Sequence, residues 1–144
     1  MGLRRLLIAC VVAVALPLAA TAEEELVVIA NPSSGVDKLT RDEVIDIFFG
    51  RRRQLPSGIA AMPLDLPASS PEKARFYRRL VGKELSEINA YWARLVFSGR
   101  TQPPSQAQNT EEMMSLVNNN PGALGYVGKS DVGPRAKIVF DLGR

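Results

Sequence analysis

Histidine is missing from the 144-residue sequence, and cysteine occurs once, at Cys10. Without histidine there is no imidazole-ligated metal, no Ser-His-Asp triad and no Cys-His pair. With a single cysteine there is no disulfide within the chain. Long charge runs are absent too: 18 basic residues face 15 acidic ones. What remains is ordinary globular material, 46% hydrophobic and 23% charged, which excludes disorder and collagen-like repeats. The length suits one domain. No residue set forms a reaction centre, so the sequence is not read as an enzyme.

Residues 1–22 have the layout of a secretory signal. Arg4 and Arg5 form a basic start, Leu6 to Leu18 is apolar apart from Pro17, and Ala20-Thr21-Ala22 offers a small-x-small cleavage site. The run falls short of the roughly 20 residues that span a bilayer, which argues against an anchor. Leu7-Ile8-Ala9-Cys10 resembles a lipobox, but few apolar residues precede it and many follow. The Arg4-Arg5 pair sits in a poor context for twin-arginine export. The expectation is general secretion, a soluble periplasmic domain over 23–144, and no stable membrane insertion afterwards. Beyond residue 22, 16 basic residues oppose 15 acidic ones. A net charge of +1 gives no basis for nucleic-acid binding.

Leu26-Val27-Val28-Ile29-Ala30 is short, apolar and β-branched, which predicts a strand buried on both faces. Asn31-Pro32-Ser33-Ser34-Gly35 ends it with turn residues. Thr40-x-x-Glu43 is a capping box that opens a helix, and Gly50 closes it. A basic loop, Arg51 to Gly58, leads to a second strand within Ile59–Leu66, with Pro63 limiting its regularity. Ser70 and Pro71 suit the cap and first position of the next helix, closed by Gly82. Ser86 is expected to cap a third helix. Its core stripe is Ile88, Tyr91, Trp92 and Leu95. After a polar loop, Thr101 to Asn109, Thr110 caps a short helix. Leu124–Val127 and Lys137–Phe140 are the final strands. The predicted order is β-α-β-α-α-α-β-β, an α/β domain with helices covering a small mixed sheet.

Candidate binding residues lie in two turns. Asn31, Ser33 and Ser34 follow a buried strand, where α/β domains often place ligand loops. Ser69 and Ser70 stand at a helix start, where N–H groups and the helix dipole favour an anion. Both turns are expected to meet in one shallow polar cleft. Each also has a plain reading, as an ordinary turn and an ordinary N-cap. Arg51-Arg52-Arg53 could hold an acidic partner, yet a solvated cluster at a helix C-terminus accounts for it. Arg75, Arg78 and Arg79 share a face with Glu72 and suit surface ion pairs. Asp37, Asp42, Asp46 and Asp65 follow no catalytic or metal-binding pattern.

Several segments together resemble the small PstS-like, PBP-like proteins that carry phosphate-transport names. They are Val28–Pro32, Leu39–Gly50, Ser70–Tyr77, Tyr91–Gly99 and Pro121–Val127, in that order along the chain. The resemblance implies one lobe of a type II periplasmic binding protein. It also implies a ligand, phosphate or a related oxyanion, and a link to an ABC transporter. A Ser-Gly-Thr loop holds the anion in phosphate-binding relatives, and Ser69-Ser70-Pro71 stands in its place here. The alternative is a ligand-free interaction or sensory-accessory module, with a membrane sensor or transporter as partner.

Overall fold

The computed structural model describes residues 16–17 and 23–143. The export segment, 1–22, thus lies outside the described residues apart from Leu16 and Pro17. The elements are β1 (Leu26–Ala30), α1 (Arg41–Phe48), β2 (Met62–Asp65), α2 (Pro71–Val81), α3 (Leu85–Phe97), β3 (Ser105–Gln106), α4 (Thr110–Asn119), β4 (Ala123–Gly128) and β5 (Lys137–Gly143), with one 3-10 turn at Lys129–Asp131. They form a single five-stranded sheet in the order β3-β2-β4-β1-β5. β2 runs parallel to both β3 and β4, whereas β1 runs antiparallel to β4 and β5. Four strands therefore point one way and β1 points the other.

The α/β class and mixed sheet agree with the sequence reading. Every residue of β1 is buried, as its unbroken apolar run predicts. Pro63 is tolerated inside β2 for a reason of register. The Met62 N–H bonds Gly122 of the β4 side at 2.8 Å, so the next nitrogen faces the β3 side. There β3 begins only opposite Leu64, and no partner waits for the missing N–H.

Helix starts differ from expectation by a residue or two. Thr40 does form the capping box with Glu43. Glu84, not Ser86, caps α3 and makes a reciprocal box with Glu87, because a carboxylate serves the free N–H groups as well as a hydroxyl does. Asn109, not Thr110, caps α4, and its side chain accepts from Glu112 N–H. The expected polar loop before α4 contains the two-residue β3, too short to carry a period. Gly50 has φ +73°, and a Cβ there would come within 2.7 Å of Thr101 Oγ1, so the turn after α1 needs glycine.

Aromatic rings lock the helices to the sheet. Phe76 of α2 stacks on Tyr126 of β4 with centroids 3.9 Å apart and planes 7° from parallel. Phe48 of α1 meets Phe76 at 4.9 Å. Trp92 is buried in α3, as its place in the stripe predicts.

Candidate functional site

Asn31 and its turn are closed by hydrogen bonds. Asn31 is only 5% exposed. Its Nδ2 donates to the carbonyls of Val117 at 2.8 Å and Asn118 at 3.1 Å, and its Oδ1 accepts from Ser33 N–H at 2.8 Å. Those carbonyls belong to the last turn of α4, where the helix leaves acceptors unsatisfied. Ser34 is buried, and its Oγ accepts from Val36 N–H at 3.2 Å. Ser57 Oγ then donates to Ser34 O at 2.6 Å. Of the three candidate residues in this turn, only Ser33 is exposed.

At the start of α2, Ser69 is exposed and Ser70 is the N-cap residue. The Ser70 hydroxyl makes no capping bond; it donates instead to the Glu72 carboxylate at 2.6 Å. Pro71 occupies the first helical position and brings no N–H. Of the arginines on this helix, Arg79 pairs with Glu23 and Arg75 donates to Glu24 O, so their partners lie ahead of β1 and are not Glu72.

The two serine turns do not meet. Ala30 of β1 and Pro63 of β2 both stand beside Leu124 of β4, but β1 runs antiparallel to β4 and β2 runs parallel to it. The turn after β1 therefore leaves the end of the sheet where β2 begins. The expectation of a shared cleft assumed that both strands point the same way, and the reversed direction of β1 overturns it.

Beside the α2 start lies a cluster that the sequence reading passed over. Asp65, the last residue of β2, is 6% exposed. Its Oδ1 accepts from Tyr126 OH at 2.5 Å and from Leu66 N–H at 2.9 Å. Its Oδ2 accepts from Tyr77 OH at 2.6 Å, and Lys73 Nζ lies 3.6 Å away. Burial, reinforced by the neighbouring carboxylate, raises both tyrosine hydroxyls well above their usual pKa. Both phenols thus remain donors. Lys73 and Tyr77 are four residues apart on α2, so they share a face and reach the same carboxylate. That spacing, after a strand-end aspartate, is the signal the sequence held.

Asp65 and Lys73 line an open cavity of about 450 Å³ with Asn89, Trp92 and Gln106. It occupies the carboxyl end of β2, where an α/β sheet commonly opens to a ligand. The polar lining can orient a small solute, while the carboxylate at its base has its own donors and a cation.

No protein-family model matches the sequence, and no curated protein does either. Solved structures do match. An ABC-type phosphate transport receptor from Vibrio cholerae superposes with a TM-score of 0.64 at 18% identity, covering 81% of this chain and 45% of its own. The chain has the fold of one lobe of a PstS-type binding protein. A phosphate ABC transporter substrate-binding protein with bound phosphate, from Clostridium perfringens, gives the same TM-score and identity over 81% of this chain and 44% of its own. PstS from Borrelia burgdorferi follows at 0.56 and 13% identity, with 81% and 47% covered. The chain thus spans less than half the length of the binding proteins it matches. Among the described residues no helix is long and apolar enough to cross a membrane.

Proposed function

We propose that the protein is an exported, non-enzymatic solute-binding protein of the periplasm, that it takes phosphate or a related oxyanion at the start of α2, and that it serves an ABC transporter. The correspondence of 81% of the chain with one lobe of a phosphate-bound receptor carries this reading. Ser69 and Ser70 supply hydroxyls at the positive end of a helix dipole. Asn31, Ser33 and Ser34 lie at the other end of the sheet and enter this reading only as a separate site.

The local chemistry sets the strength of binding. Glu72 holds the Ser70 hydroxyl and must release it to an arriving anion. Lys73, the nearby cation, shares its charge with Asp65. One open lobe also leaves the anion in contact with water. Affinity is therefore weak and falls as salt rises. Isothermal titration with phosphate, against sulfate and chloride at matched ionic strength, tests this. The double variant Ser69→Ala, Ser70→Ala should abolish the phosphate heat while changing stability by less than about 0.5 kcal/mol, since no capping bond is lost. If the wild-type protein gives neither heat nor a thermal shift with phosphate, the ligand reading fails. The interaction-module reading then stands, favoured by one observation: Phe97 at the end of α3 is 95% exposed and Val96 53%.

A further inference from the structure

A second concavity, about 610 Å³, opens at the other side of Val96, Pro103 and Pro104, which also wall the cavity beside Asp65. It is lined from the turn after α1, the beginning of β2 and the segment leading into β3. Arg52, Arg53 and Arg100 project into its lining, and no acidic residue joins them. Arg53 Nη2 donates to Arg100 O at 3.1 Å, which ties the two arginine-bearing segments together. Among the described residues, neither Arg53 nor Arg100 has a carboxylate within ion-pair distance, and Arg52 has only Glu43 at 3.5 Å.

The helix dipole explains part of this charge, because Arg51 and Arg52 follow the carboxyl end of α1. Arg100 likewise follows the carboxyl end of α3, so two helix ends deliver their cations to one concavity. The rest of the lining is mixed, with Met62, Pro63 and Val96 beside the polar Thr101, Gln102 and Ser105. Next to Val96, the nearly fully exposed Phe97 extends the apolar surface outward. The outer edge of β3 is open, but Pro103-Pro104 just before it lack N–H groups and block continued strand pairing. Recognition here therefore goes through side chains.

We propose that this groove docks an acidic segment of a partner protein, its carboxylates on Arg52 and Arg100 and its apolar side chains over Met62, Val96 and Phe97. Charge complementarity selects the occupant: Arg100 and Arg53 have no carboxylate partner among the described residues, Arg52 has only a long pair with Glu43, and arginine pairs with carboxylate in bidentate fashion. A flat lipid surface fits less well, because the arginines line a concavity. The inference holds whether or not the start of α2 takes an anion.

Fluorescence anisotropy with a short labelled peptide of glutamate and leucine tests it, with a lysine-and-leucine peptide as control. The glutamate peptide should bind, and the double variant Arg52→Glu, Arg100→Glu should weaken it about tenfold or more. Phe97→Ser should weaken it less, and Ser69→Ala, Ser70→Ala not at all. Unchanged circular dichroism melting separates lost docking from lost folding; the exposed Phe97→Ser variant provides a second readout if the charge reversal fails to fold. Absence of binding, equal binding of the lysine peptide, or indifference of a folded double variant overturns the proposal. So does co-sedimentation with phosphatidylglycerol vesicles that the glutamate peptide does not compete away, which would assign the surface to a membrane.

Discussion

The turn after β1 and the turn after β2 are made of similar residues, and they do different work. Each follows a strand whose last residues are buried, and each offers two serines. After β1, the amide of Asn31 is consumed by the last carbonyls of α4, and Ser34 is buried against its own turn. After β2, the serines remain near the surface, and the buried polar group has moved upstream to Asp65, beside an open cavity. A polar turn at a strand end is thus a lock or a mouth according to what packs over it. Strand direction decides which end of the sheet it occupies.

The comparison breaks most visibly at Asp65. Asp65→Ala strands two buried phenols and Lys73, and should cost about 3–5 kcal/mol, the range for removing one partner of a buried charged cluster. Urea denaturation measures it; a loss below about 1 kcal/mol would mean that water replaces the carboxylate and that this end is more open than described. Asn31→Ala should follow at about 2–3 kcal/mol, because it leaves Val117 O, Asn118 O and Ser33 N without their partner. It should leave any ligand heat unchanged, and a change there would return this turn to the list of binding sites.

A third expected effect is alkaline. The folded-state pKa values of Tyr77 and Tyr126 are raised above the unfolded value near 10. Their contribution is complete below about pH 10 and is lost as pH rises beyond it, because only the unfolded chain then releases these protons. Each tyrosine lowers stability by about 1.4 kcal/mol per pH unit in that window. Denaturation midpoints followed through the alkaline range should fall steadily, and Tyr77→Phe should reduce the slope.

Much of this fold was legible because local signals were strong. The apolar run of β1, the capping box at Thr40 and Glu43 and the stripe through Trp92 each specify their element from neighbours alone. β3 was not legible: two residues carry no period, and only their pairing with β2 makes them a strand. The site was harder for the same reason. The partners of Asp65 come from α2 and from β4, so its role depends on sheet order, which no local pattern encodes. The direction of β1 is also a property of the finished sheet, and it decided that Asn31 and Ser69 face apart.

That direction has a consequence for how the chain acquires its structure. Leu26 at the front of β1 pairs with Gly128 and Gly143, far along the chain from it. Among the described residues, β1 can therefore find no strand partner until β4 and β5 have emerged. Loop closure over such separations is slow, and contact order of this kind delays folding. An early strand whose partners come late thus leaves the middle of this sheet unknitted until β4 and β5 are available.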